Sequence, residues 1–225
     1  MAWSRPARAV RGVAAATVVA VPVVLIALLI REQFNPLISF DERVIAWATA
    51  FTRDGGLGPA LLALQDISQP KWVHLVGTLV ALWAWRAKGL RNRALWAFAT
   101  LMTGWVLGWA SKLLVQRARP VVDDPLSHAS GYSFPSGHAT NIAVAGSVMV
   151  FLLWPLLSAT GRRVSVLAAG LVVLAVGLDR VFLGMHYPSD VFAGLLLGLG
   201  ITFASWIGFI GMTAVTSSPG PSAPA

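Results

Sequence analysis

Six long apolar stretches decide what this chain can become. They cover residues 12–30, 67–85, 94–111, 139–161, 164–178 and 191–214, and apart from Lys71 in the second they hold no Asp, Glu, Lys or Arg. About 20 helical residues are needed to cross ~30 Å of hydrocarbon, and backbone in hydrocarbon must satisfy its own hydrogen bonds. The expected fold is all-α: a polytopic membrane protein with six transmembrane helices in a bundle, the short fifth run being either thinned at its ends or extended by its neighbours. Charged residues make up 12% of the chain, about half the share usual in a soluble domain. Cysteine is absent, which removes disulfides, a thiol nucleophile and thiolate metal sites.

Between the first two runs lie two shorter amphipathic pieces. Asp41 is a candidate N-cap for a helix through Val44, Ile45, Trp47, Ala48 and Phe51 that stops at Asp54-Gly55-Gly56, and residues 57–64 form a second piece. Both are expected to lie at the membrane interface. Residues 1–216 then form one domain, with its signature region at about 71–211, and the Ser/Pro/Gly/Ala tail at 217–225 reads as disordered. Arg5, Arg8 and Arg11 before the first run resemble the start of a signal peptide. Leu28-Leu29-Ile30-Arg31-Glu32 offers no small-x-small cleavage site, so a retained anchor is expected.

Charge is strongly sided. With a cytoplasmic N-terminus, the cytoplasmic segments hold Arg5, Arg8, Arg11, Arg86, Lys88, Arg91, Arg93, Arg162 and Arg163 and no acid. The other side holds all nine acids and eight basic residues, so +9 faces −1, which sums to the net charge of +8. This predicts cytoplasmic N- and C-termini. It gives the positive charge a topological meaning rather than nucleic-acid affinity. Trp72, Trp83, Trp85, Trp96, Trp105, Trp109 and Trp154 fall near run ends, as an aromatic belt requires.

Three polar clusters sit at ends of apolar runs, all on the expected extracytoplasmic side. Polar groups at a membrane edge are costly and usually functional. In the first, Lys112 and Arg119 are two helical turns apart and share a face if the third helix continues that far. Two such cations can grip a phosphate. Arg117 lies off that face and is expected merely to snorkel. In the second, Tyr132-Ser-Phe-Pro-Ser136-Gly137-His138, Ser136 is a candidate N-cap, and the amides after it would point at an anion that Gly137 lets approach. In the third, Asp190 follows His186 by about one turn, where a carboxylate can hold one imidazole nitrogen and leave the other free to attack; Arg180 adds a third cation.

Lys112 with six residues to Arg119-Pro120, then Pro135-Ser136-Gly137-His138, then Arg180 with five residues to His186 and three to Asp190, resembles the three-part signature of the type 2 phosphatidic acid phosphatases. The resemblance covers roughly residues 43–211. It implies a six-helix, metal-independent phosphatase with no cofactor, acting on a membrane lipid phosphate. By that likeness His186 is the nucleophile that becomes a phosphohistidine, Asp190 orients it, and His138 protonates the leaving oxygen and then activates water. Lys112, Arg119, Arg180, Ser136 and the Gly137 amide hold the phosphoryl oxygens. One departure stands out: Asp179 occupies a position where the family usually has a small residue. It is expected to point away from the phosphate or to pair with a base.

Asp123, Asp124 and His128 match no metal-ligand template, and His74 reads as a helix-packing residue. Phosphatidic acid, phosphatidylglycerol phosphate and a polyprenyl diphosphate all suit a site at the bilayer surface, the last being the leading choice. Phosphoryl transfer to an alcohol from the same phosphohistidine is the alternative. A transporter or binding protein would need polar groups deep in the spans, which hold few beyond Ser, Thr, Asn141 and His74. The vanadate-dependent haloperoxidases resemble the site too, but are soluble. Nothing in the sequence sets an oligomeric state.

Overall fold

The computed structural model describes residues 5–213, so the tail expected at 217–225 and the last residue of the sixth run lie outside the described residues. The described residues form eight α-helices: α1 (Arg5–Arg31), α2 (Asn35–Asp54), α3 (Gly58–Ile67), α4 (Pro70–Lys88), α5 (Arg91–Val115), α6 (Gly137–Leu153), α7 (Ala159–Phe182) and α8 (Pro188–Thr213), with a 3-10 turn (Trp154–Leu156) after α6. Five stretches are long and apolar enough to cross a membrane: Val10–Arg31, Arg91–Val115, Gly137–Leu156, Ala159–Phe182 and Pro188–Phe209. Their outward faces are apolar, as with Val18 (72% exposed), Leu167 (67%) and Leu171 (68%), the inverse of a soluble surface. The fifth expected run proves longer than its charge-free core, because Ser158 caps α7 through the amide of Gly161 at 3.1 Å and Arg162 and Arg163 fall in its early turns.

Helix α6 is the hub, packed against α4, α5, α7 and α8. Leu101, Val144, Val148 and Leu152 are fully buried there. Close approach through small residues sets the spacing, as is usual where solvent offers no hydrophobic drive between helices. A Cβ on Gly198 of α8 would sit 2.5 Å from the Thr140 carbonyl of α6, and one on Gly200 would overlap Val19 of α1.

Turn chemistry explains the ends. Pro70 starts α4, and Gly89 at φ +68° closes it while the amide of Leu90 bonds the Ala84 carbonyl at 3.0 Å. α5 stops at Val115, with Gln116 in the left-handed region. Beyond it, residues 116–136 fold back as an irregular segment that meets the α7–α8 loop. Helices α2 and α3 cover the same end of the bundle, α2 against α7 and α8 and α3 against α7.

Because the added methyl of Gly198→Ala meets backbone rather than a movable side chain, it is expected to lower stability by about 1–3 kcal/mol. Gly208, with open space around its Cβ, should tolerate the same change, and thermal unfolding in detergent compares the two.

Candidate active site

The three clusters converge at one end of the bundle. Lys112 and Arg119 do so by a different route from the one expected: α5 ends between them, so they share no helix face. Lys112 instead lays its ammonium on the second cluster, donating to the carbonyls of Tyr132 at 2.8 Å, Pro135 at 2.9 Å and Ser133 at 3.4 Å. Arg119 reaches over from the fold-back segment, donating to the carbonyls of Gly131 at 3.0 Å and Met185 at 2.9 Å. Burial lowers its pKa below the ordinary arginine value, with Asp190 opposing and Arg180 adding to the effect.

His186 sits in the α7–α8 loop, buried, with Arg119 Nη1 at 3.3 Å from its Nε2. A guanidinium nitrogen is only ever a donor. Nε2 therefore carries the lone pair, and Nδ1 carries the proton. On that side Nδ1 lies 3.3 Å from the Ser133 hydroxyl and 3.8 Å from Asp190 Oδ2. The second distance is too long for a hydrogen bond. The expected direct His–Asp contact is thus a relay in which Nδ1–H meets Ser133 Oγ, and Ser133 donates to Asp190 Oδ2 at 2.5 Å. Burial pulls the His186 pKa down to about 4 against the opposing pull of Asp190, so the imidazole is neutral at physiological pH.

Asp190 is held on every side. In the first turn of α8 its Oδ2 accepts from the Tyr187 amide at 3.0 Å, the carboxylate half of a capping box. Its Oδ1 accepts from Arg117 Nη1 at 2.7 Å, and Arg117 Nη2 donates to Asp41 Oδ2 at 2.7 Å. Ser189 joins the group, accepting from Arg117 and donating to Asp41 through both its amide and its hydroxyl. This overturns two expectations. Arg117 does not snorkel but is buried between two carboxylates, its face 4.0 Å from the Tyr187 ring. Asp41 does not cap α2, which begins at Asn35, but points inward from the middle of it. The signal was available in Asp41, Ile45, Ala48 and Thr52, which recur at helical spacing on the apolar stripe of α2, where a carboxylate needs a buried partner. Burial disfavours the charge on Arg117, yet Asp190 and Asp41 outweigh it and raise its pKa.

Ser136 is the N-cap of α6, its backbone amide bonded to the Asp190 carbonyl at 3.0 Å and its Oγ facing the Ala139 amide at 3.5 Å. His138 follows in the first turn, within electrostatic reach of Arg180, His186, Arg119 and Lys112. Its Nε2 is buried without a hydrogen-bond partner, an expensive state unless something comes to fill it. Arg180 is gripped by Asp179 through Nε and Nη2 and donates from Nη1 to Gln65 Oε1 at 3.0 Å. Asp179 thus pairs with a base, one of the two outcomes anticipated for it. His74 donates from Nε2 to Asn141 Oδ1 at 2.7 Å, and Asn141 Nδ2 donates to the Gly137 carbonyl at 2.7 Å, so it ties α4 to the start of α6. Among the described residues no three His, Asp or Glu side chains are grouped as a metal site requires.

A family model described as the PAP2 superfamily matches residues 93–210, which is more than half of the chain and contains all three clusters. The chain belongs to the PAP2 superfamily. Phosphatidylglycerophosphatase B of Bacillus subtilis is 40% identical to this PAP2 protein over 92 residues, 40% of this chain and 44% of that one. Undecaprenyl-diphosphatase BcrC of the same organism is 29% identical over 133 residues, 56% of this chain and 62% of the relative. Each match spans less than two thirds of the relative's length. The crystal structure of a transmembrane PAP2 type phosphatidylglycerolphosphate phosphatase from Bacillus subtilis superposes with a TM-score of 0.72 at 25% identity, covering 85% of this chain and 94% of that one. With its five apolar helices, this PAP2 protein is a multi-pass membrane protein.

Removing the guanidinium leaves Asp41 and Asp190 buried and unpaired. Arg117→Ala should therefore cost about 3–5 kcal/mol of stability. Arg117→Lys should recover only part of it, since one ammonium cannot fork between two carboxylates. Unfolding in detergent measures both.

Proposed function

We propose that this chain is a membrane phosphatase acting on a lipid phosphate or diphosphate through a phosphohistidine, without a metal or other cofactor. The observation that carries this reading is Arg119 Nη1 standing 3.3 Å from Nε2 of His186, a donor that assigns the lone pair to that nitrogen, among cations. In the proposed reaction Nε2 attacks phosphorus and the bond to the leaving oxygen breaks. His138 delivers a proton to that oxygen. It then takes a proton from water, which attacks the phosphohistidine, frees His186 and releases phosphate. Lys112, Arg119 and Arg180, with Ser136 and the Gly137 amide, would surround the phosphoryl oxygens and stabilise the charge spread over them in the transition state. Asp190, acting through Ser133, holds the Nδ1–H side and favours the cationic ring that forms on phosphorylation.

The same reading places six spans in the bilayer. α4 is 19 residues long, about 28 Å at 1.5 Å per residue, and is the sixth. Lys71, Arg86 and Lys88 at its ends, together with His74, make it more polar than the other five. Charge sidedness supports cytoplasmic termini and an extracytoplasmic site, with α2 and α3 lying over that end. Phosphatidylglycerophosphatase and undecaprenyl-diphosphatase among the relatives agree with a lipid phosphate or diphosphate substrate.

Phosphate release from lipid phosphates and diphosphates by purified protein in chelator tests the chemistry. His186→Ala and His138→Ala should each lose at least about 100-fold; a requirement for added divalent metal would overturn the mechanism. Protonated His186 cannot attack, so activity should fall as pH drops toward about 4 rather than through the ordinary histidine range. Asp190→Asn removes the influence that raises the His186 pKa, and should move this acid limb lower while slowing turnover. Comparing variants on one substrate cancels the substrate's own ionisation.

A further inference from the structure

Asp179 and Arg180 stand in the last turn of α7 as a pair of opposite charges, each only 1% exposed. Arg180 donates from Nε, at 2.9 Å, and from Nη2 to the same carboxylate oxygen, Asp179 Oδ2, and from Nη1 to Gln65 Oε1 at 3.0 Å. A guanidinium has five N–H groups, so one on Nη1 and one on Nη2 stay unengaged. Arg180 is also among the cations within electrostatic reach of His138, whose buried Nε2 has no hydrogen-bond partner. Two spare donors and an unfilled ring nitrogen are what a phosphoryl group would engage. Asp179 is not needed to keep Arg180 in place. The Arg180 carbonyl already accepts from the amides of Met185 at 3.0 Å and His186 at 3.2 Å. Gln65, itself donating to Ser127 Oγ at 2.9 Å, holds the guanidinium from α3. The other oxygen of Asp179, Oδ1, is buried with no partner, a cost that packing alone does not offset.

We propose that Asp179 is a positioning residue whose negative charge, acting through Arg180, weakens the hold of the site on a bare phosphate so that the product leaves. The inference rests on the phosphatase reading and adds how that site lets go of its product. What the carboxylate gives Arg180, and Gln65 cannot, is charge. A phosphoryl group on the free edge of the guanidinium would lie about 4 Å from its centre and about 7 Å from the carboxylate, so Asp179 cancels roughly half of the attraction. The hydrogen bonds to phosphate are kept while the charge behind them is damped. A lipid phosphate is also held by its tail in the bilayer, whereas inorganic phosphate is held by the site alone. The damping therefore falls mainly on the product. Asp190 and Asp41 do not play this part, since they share Arg117.

The test uses the full chain in detergent and two probes at one mildly alkaline pH, inorganic phosphate as a dianion and dimethyl phosphate as a monoanion. Each is measured as an inhibitor of the hydrolysis of a fluorescent phosphatidic acid and, independently of turnover, by the rise it causes in unfolding temperature. Asp179→Asn keeps an acceptor for Arg180 and removes the charge, and the inhibition constant for phosphate is expected to fall by about tenfold. Gln65→Glu brings a second negative charge to Arg180 from α3, and the constant is expected to rise by about tenfold. Coulomb energy scales with the charge of the ligand, so the monoanion should change by about the square root of each factor, roughly threefold. A lost hydrogen bond or a shifted side chain moves both ligands alike, and Gln65→Met is the control that shows that pattern. Equal constants in wild type and both charge variants, or equal factors for the two ligands, would overturn the proposal. Should Asp179→Asn not fold, Gln65→Glu against Gln65→Met decides by the same comparison. Wild type that neither hydrolyses the lipid nor gains stability from phosphate would sink the phosphatase reading itself, a result distinct from variants that bind phosphate out of the order of their charge.

Discussion

A guanidinium fixed between two buried carboxylates is the interaction on which the rest of this structure leans. Arg117 bonds Asp41 of α2 with one nitrogen and Asp190 of α8 with the other. Burying three charges is costly, and the cost is offset only when geometry and hydrogen bonding are complete. Here Ser189 and the Tyr187 amide supply the remaining bonds. The fold-back segment after α5 is thereby anchored to both helices, and with it Arg119 and Ser133 reach the ring of His186. Since Oδ1 of Asp190 is engaged by Arg117, Oδ2 is left to face Ser133 and the imidazole.

The bundle provides a rigid platform for that arrangement. α6 and α8 approach closely enough at Gly198 to exclude even a methyl group, which brings the Ser136 amide onto the Asp190 carbonyl. The helix start that carries His138 and the loop that carries His186 are then registered to each other through backbone rather than through flexible side chains. Lys112 adds a further tie by collecting the carbonyls around Pro135. Local choices and long-range packing agree throughout: a serine at the helix start, a proline in the first turn of α8, and glycine where two backbones meet.

Much of this could be read along the chain. Apolar runs of spanning length revealed the helices, because hydrocarbon permits little other backbone structure. The clusters were legible because charge at the end of an apolar run is rare without a use. Arg117 and Asp41 escaped because both were judged by local rules. Arg117 was assigned from its angle on a helix that in fact ends before it, and Asp41 from its resemblance to a cap. Ser133 escaped because a serine between Tyr132 and Phe134 carries no distinguishing pattern until a carboxylate and an imidazole face it.

By itself, then, the order of residues determined the helical membrane class and the identity of the three polar clusters, because each follows from spacing and solvation along a short stretch. The tertiary structure alone decided which cation meets which carboxylate, which nitrogen of His186 carries the lone pair, and that a hydroxyl stands between that ring and Asp190. Those outcomes depend on distances between segments as much as 148 residues apart, and only the packing of the bundle sets them.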